Sequence, residues 1–188
     1  MQTLPNAISL ARAVAVIPVA VLLGRPEGTW AALALFCLAS LSDALDGPLA
    51  RRLHAATSFG AFLDPLADKV LINGTLLALM GLGAVEPWVV AVILARGVLV
   101  TGLRGAAATR GAMIEASWLG KTKTAFQCIA VGTLMLELNV SSAEVSLAAS
   151  FALAVALMLT VASGLHVLVR ASRLIFAIAP REHLANAR

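Results

Sequence analysis

Ser42–Lys69 reads SDALDGPLARRLHAATSFGAFLDPLADK, and it sets four aspartates beside or within apolar sequence. Asp43 and Asp46 are three residues apart, Asp64 and Asp68 four apart. At helical spacing each pair presents both carboxylates on one face. Ionisable groups at membrane depth are costly and mark functional sites. Clustered carboxylates with no cation beside each one suggest a bound divalent metal.

The rest of the chain makes the membrane the expected setting. Of 188 residues 60% are hydrophobic, and the mean hydropathy is +0.93, beyond a soluble domain, whose apolar share is about one half. The expected fold is all-α, a single membrane domain over residues 1–188 with six transmembrane helices. The net charge of +4 points to anionic headgroups and cytoplasmic loops rather than to nucleic acid, because aromatic interleaving for base stacking is absent. Cys37 and Cys128 sit in apolar runs and read as small core side chains, with no disulfide or metal role. The N-terminus lacks the basic flank and cleavage site of a signal peptide, so its apolar run is expected to stay as a span.

Six apolar runs follow in order. Leu4–Leu23 is long enough to cross the bilayer and carries Asn6 and Arg12. GRPEGT (24–29) is a turn. Trp30–Asp43 is the second run, with Gly47–Pro48 as a kink or break after it. Gly60–Leu82 is the third, with Asp64 and Asp68 in its first turns, so the second and third meet as an antiparallel pair with their carboxylates together. Trp88–Leu103 is short for a span and contains Arg96, and Arg104–Lys123 reads as a polar connection. Thr124–Leu138, starting a turn or two earlier, and Ala143–Val169 complete the set.

With six spans both termini share a side, and of 14 Lys and Arg only Arg25 falls on the other. By the positive-inside rule the aspartate side is the cytoplasm. Glu27, Glu86, Glu137 and Glu144 fall outside, with Trp30 and Trp88 as anchors at the outer interface. No internal repeat is visible, which weighs against an inverted-repeat transporter.

An all-oxygen donor set suits Mg²⁺, Mn²⁺ or Ca²⁺ and, without His or thiolate partners, does not suit zinc. Two ions about 3.5–4 Å apart could be bridged there, as in an in-line phosphoryl displacement. Arg51 offers a bidentate fork to a pyrophosphate, while Gly47 and Gly60 leave room for close approach. Singly, Asp43 or Asp46 could cap a helix or pair with Arg51. Together the four would leave surplus negative charge against Arg51, Arg52 and Lys69 alone. His54 reads as a solvated loop residue, and His166 and His183 as interfacial.

The spacing Asp43-x-x-Asp46-Gly47-x-x-Ala50-Arg51, then eight residues to Gly60, three to Asp64 and three to Asp68, resembles the signature of the CDP-alcohol phosphatidyltransferase family, and all eight specified positions match. The resemblance implies transfer of a phosphatidyl group from a CDP-linked lipid to an alcohol, with CMP leaving, assisted by Mg²⁺ or Mn²⁺, two ions in all. Carried over by position, Asp43, Asp46 and Asp64 would be metal ligands. Asp68 would be the general base for the acceptor hydroxyl and a further ligand, and Gly47, Ala50, Arg51 and Gly60 would line the CDP site. Members of the family are often homodimers in the cell inner membrane, with the active site at the cytoplasmic face.

Pro5-Asn6-x-x-Ser9-x-x-Arg12 and Ser117-Trp118-x-Gly120-Lys121-x-Lys123-Thr124 are similar to the bacterial phosphatidylglycerophosphate synthase branch. That resemblance implies CDP-diacylglycerol as donor and sn-glycerol 3-phosphate as acceptor. Asn6, Ser9 and Arg12 could touch the nucleotide, or cap and snorkel. A dianionic acceptor needs cations, and Arg96, Arg104, Arg110, Lys121 and Lys123 could supply them. Positive-inside topology alone accounts for Arg110, whereas Arg96, about two turns inside its run, lies too deep for a loop charge. The branch usually follows the equivalent of Arg96 with glutamate; here the residue is Gly97. Inositol phosphate or serine as acceptor, and a small cation or metabolite transporter, are the alternative readings.

Overall fold

A computed structural model describes the backbone of residues 3–52, 58–109 and 118–185, and side chains within 10–42, 67, 69–109 and 122–172. Among the described residues all regular structure is helical: α1 (Thr3–Leu23), a 3₁₀ turn (Pro26–Gly28), α2 (Thr29–Arg52), α3 (Ser58–Gly81), α4 (Pro87–Ala108), α5 (Trp118–Glu137) and α6 (Ala143–Ala185).

Several helices outrun the expected boundaries. α2 continues through Gly47–Pro48 to Arg52, so Pro48 removes one backbone hydrogen bond without ending the helix. α4 has 22 residues, long enough to span, because Arg104-Gly-Ala-Ala-Ala carries helix-favouring alanines and no proline. α5 begins at Trp118, within the turn or two expected before Thr124, so Lys121 and Lys123 are helical. α4 and α5 therefore reach into the expected polar connection, Arg104–Lys123, from its two sides. α6 runs 43 residues, past Val169 and through Pro180.

Short turns pair the helices into three hairpins. Between α1 and α2 the 3₁₀ turn passes so close to Leu22 that a Cβ on Gly28 would collide with the Leu22 carbonyl. α3 ends with Gly83 at φ +74°, the Gly83 N–H bonding to Met80 O at 3.0 Å and the Ala84 N–H to Leu79 O at 3.0 Å. This is a Schellman closure, which favours glycine at the left-handed residue. Pro87 then opens α4 in the first turn, where a missing N–H costs nothing. Asn139, after α5, donates to Met135 O at 2.8 Å and accepts from Thr29 Oγ1 at 2.6 Å. That bond fastens the third turn to the first.

One apolar cluster joins all three turns. It takes Val19 and Leu23 from the end of α1, Ala32 and Phe36 from the start of α2, and Leu71, Ile72, Leu76 and Leu79 from α3. Val85, Val89, Val90 and Ile93 add the start of α4, Val131, Leu134 and Met135 the end of α5, and Ala149 the start of α6. The three turns therefore lie at one end of the bundle. The C-terminal ends of α2 and α4 and the N-terminal ends of α3 and α5 lie at the other. α1 packs closely on α3: a Cβ on Gly74 would collide with Val16.

Large apolar side chains also cover the outside. Leu10, Val14, Ile17 and Val21 form an exposed stripe on α1, and Leu147, Phe151, Met158, Val161, Leu165 and Leu168 are exposed on α6. Exposed apolar side chains lined up along whole helices mark a surface suited to an apolar surrounding. Among the described residues two helical segments are long and apolar enough to cross a membrane, Pro87–Ala108 and Ala143–Ser172. Trp30 and Trp88 project outward at the turn end. Cys37 is exposed rather than in the core, on the same outward side of α2 as Leu38 and Leu41.

Candidate active site

The interior changes character within one helical turn of the apolar cluster. On α1 the next inward residue after Val16 and Val19 is Arg12, 2% exposed. On α2 Ser40 follows Phe36, with a buried hydroxyl that has no hydrogen-bond partner among the described residues. On α4 Arg96 follows Ile93, and on α5 Gln127, 4% exposed, follows Val131. On α6 Thr160, fully buried, follows Ala156. An interior ringed by such groups keeps them from lipid, where polar side chains would go unsatisfied.

Three of the five expected acceptor-binding cations have described side chains, and α4 and α5 turn them inward. Arg96 and Arg104 are two turns apart on the face of α4 that buries Ile93, Val100 and Ala107. The Nε of each is buried without a hydrogen-bond partner among the described residues. Lys123, on α5, is 8% exposed, one turn from Gln127 on the same face. Arg104 and Lys123 are thus half-buried and buried helix residues, not loop charges. Arg96 lies about 18 Å of helix axis before Ala108, deeper than the expected two turns because α4 is longer. Guanidiniums whose buried Nε–H is unused by the described residues suit an anionic ligand.

The aspartate stretch falls on the helix ends that this polar half belongs to. Asp43 and Asp46 lie on α2 with Gly47, Ala50 and Arg51; Asp64 and Asp68 lie with Gly60 in the first half of α3. The side chains of these residues, of Asn6 on α1 and of Lys121 on α5 lie outside the described residues, as does Arg110 entirely. Among the described residues no cluster of three or more His, Cys, Asp or Glu is present. Lys69, next to Asp68, turns to α4, donating to Thr101 Oγ1 at 3.1 Å, and Thr101 in turn donates to Gly97 O at 2.8 Å. A side chain at Gly97 would meet open space, so the glycine leaves a gap where the resembling branch usually has glutamate.

Sequence reading missed the polar residues of the bundle interior. Gln127 Nε2 donates to Thr160 Oγ1 at 3.1 Å, and Arg96 Nη2 donates to Ser163 Oγ at 2.8 Å. A signal was available: Thr160-x-x-Ser163 puts two hydroxyls on one face of an otherwise apolar helix, and Gln127 stands four residues after Lys123.

Residues 2–169 match the CDP-alcohol phosphatidyltransferase family. The chain is 42% identical over 180 residues to the CDP-diacylglycerol–glycerol-3-phosphate 3-phosphatidyltransferase of Bacillus subtilis, covering 87% of this chain and 92% of that one. It is 45% identical over 140 residues to a probable phosphatidylglycerophosphate synthase of Mycobacterium tuberculosis, covering 74% of this chain and 65% of the relative. A CDP-diacylglycerol–glycerol-3-phosphate 3-phosphatidyltransferase of Shigella flexneri is 37% identical over 160 residues, covering 81% and 87%. With its helical bundle, its aspartate-bearing helix ends and this similarity over most of its length, the chain belongs to the CDP-alcohol phosphatidyltransferase family of transferase enzymes.

Proposed function

We propose that this enzyme transfers the phosphatidyl group of CDP-diacylglycerol to sn-glycerol 3-phosphate, giving phosphatidylglycerophosphate and CMP. The names of its relatives support this reaction. The observation that carries the acceptor is the inward trio Arg96, Arg104 and Lys123, with two buried guanidinium N–H groups among the described residues unused by the protein. A phosphorylated alcohol brings a dianion that such cations can hold.

Asp43, Asp46, Asp64 and Asp68 supply only hard oxygen donors, which fit Mg²⁺ or Mn²⁺, as one ion or two. When bound, the ion neutralises pyrophosphate charge and stabilises the leaving CMP. Arg51 pairs with the donor phosphates, and Gly47, Ala50, Gly60 and Asn6 shape the space for the cytidine diphosphate. Arg96, Arg104, Arg110, Lys121 and Lys123 hold the acceptor phosphate so that its free primary hydroxyl reaches the donor. The Asp68 carboxylate takes the proton of that hydroxyl. Its oxygen forms a bond to the phosphorus bearing diacylglycerol, and the bond from that phosphorus to the pyrophosphate bridging oxygen breaks, CMP taking the electron pair.

The chain works as a single multi-pass domain with six membrane crossings and both termini in the cytoplasm. The acidic Glu27, Glu86, Glu137 and Glu144 at the turn end, with Arg25 as the lone cation there among the described side chains, support that orientation. The setting is the inner membrane, and the working unit a homodimer. The test is CMP release by purified protein with CDP-diacylglycerol, Mg²⁺ or Mn²⁺, and in turn glycerol 3-phosphate, inositol phosphate and serine. Fastest release with glycerol 3-phosphate is expected. Preference for serine would overturn the cationic-acceptor reading, and no release with any alcohol would overturn the activity.

A further inference from the structure

We propose that Ser163 and Gly164 of α6 are positioning residues for the acceptor site, acting through Arg96. α6 carries none of the family motif, yet its buried face is where the Arg96 side chain rests. Arg96 Nη2 donates to Ser163 Oγ at 2.8 Å, and that hydroxyl spends its own hydrogen on Thr160 O at 3.1 Å. The serine oxygen is thereby held as an acceptor, with its lone pairs toward α4. Thr160 repeats the device one turn earlier: it donates to Ala156 O at 2.6 Å and accepts from Gln127 Nε2 at 3.1 Å. Both hydroxyls are fully buried, so neither exchanges its partner for bulk water.

Gly164 supplies the space. A Cβ there would stand 3.0 Å from Arg96 Cγ and 3.7 Å from its Nε, so the arginine stem lies directly over the glycine. An alanine would press the stem off α6 by a few tenths of an ångström and swing the guanidinium further. One guanidinium N–H is thus fixed by α6, and the buried Nε–H is unused by any described residue. A long, flexible cation in a cavity would otherwise lose rotamer freedom when the acceptor binds, a cost of roughly 0.5–1.5 kcal/mol per immobilised side chain. Holding it in advance strengthens binding of the phosphate without touching it. Specificity follows, since an acceptor without a phosphate gains nothing from an ordered Arg96.

This inference rests on Arg96 being a ligand of the acceptor phosphate, and the experiment separates the two. KM for glycerol 3-phosphate, KM for CDP-diacylglycerol, kcat and the melting temperature in detergent are measured for Ser163→Ala, Gly164→Ala, Arg96→Lys and the double variant of Ser163→Ala with Arg96→Lys. Ser163→Ala is expected to raise KM for glycerol 3-phosphate about tenfold, with KM for CDP-diacylglycerol unchanged. Gly164→Ala should shift the same constant in the same direction. In the double variant the serine change should add less than twofold, because its effect runs through Arg96. If Arg96→Lys leaves KM for glycerol 3-phosphate unchanged, the reading of Arg96 fails and the positioning inference with it. If Arg96→Lys raises it while neither Ser163→Ala nor Gly164→Ala does, the positioning inference alone fails. Equal loss of kcat with every acceptor, tracking melting temperature, would also overturn it, since a structural role alone gives that pattern.

Discussion

At the turn end the space between the helices is filled by Val19, Phe36, Leu76, Ile93, Leu134 and Met135. One helical turn further along the same helices, the inward positions are Arg12, Ser40, Arg96, Gln127 and Thr160. In the first region even Thr75 is satisfied within its own helix, donating to Leu71 O at 2.8 Å. In the second, hydroxyls and an amide of different helices bond to one another, and guanidinium N–H groups stay unused by the described residues. The contrast teaches a division of labour. Close apolar packing at the turns holds three hairpins in one arrangement, and that rigidity lets the other half keep a polar, charged interior that would not hold itself together.

Substitutions that strike one half should leave the other half's property intact. The largest effect is expected from Asp68→Asn, which removes the proposed base: CMP release should fall about a thousandfold, with the melting temperature nearly unchanged. A parallel loss of thermal stability would show that the polar half also carries the fold. Phe36→Ala should do the converse, costing roughly 2 kcal/mol of stability through the cavity it leaves, since in lipid packing matters more than transfer from water. Turnover per folded molecule, measured well below the melting transition, should stay near the parent value.

Lys123→Ala sits on the boundary between chemistry and packing. Its KM for glycerol 3-phosphate should rise about tenfold while that for CDP-diacylglycerol holds, and any residual turnover of serine should be spared. Equal loss with both acceptors would place the lysine among structural groups. The smallest effect belongs to Thr29→Val, which deletes the 2.6 Å bond to Asn139 between two turns. About 1 kcal/mol of stability is expected to go, read as a lower melting temperature with both KM values untouched.

Much of this was open to view in the letters. The spacing of Asp43, Asp46, Gly47, Ala50, Arg51, Gly60, Asp64 and Asp68 carried the resemblance to the family that residues 2–169 match, since a motif held within two helices is legible as intervals along the chain. Hydropathy gave the helices, and turn residues such as Gly28, Gly83 and Pro87 gave the hairpins. Helix ends were less legible. Arg104 looked like loop because charge in a sequence says nothing about which way a helix turns it.

By itself, then, the sequence determined an apolar helical chain with a carboxylate cluster at one set of helix ends. Only the tertiary structure decided that Arg96 and Arg104 share an inward face, that Lys123 is buried on α5, and that α6 meets Arg96 with Ser163 and Gly164. The reason is physical. Motif chemistry is set within one or two helices by a fixed period of 3.6 residues. A cavity is made between helices, by crossings and depths that no local interval encodes.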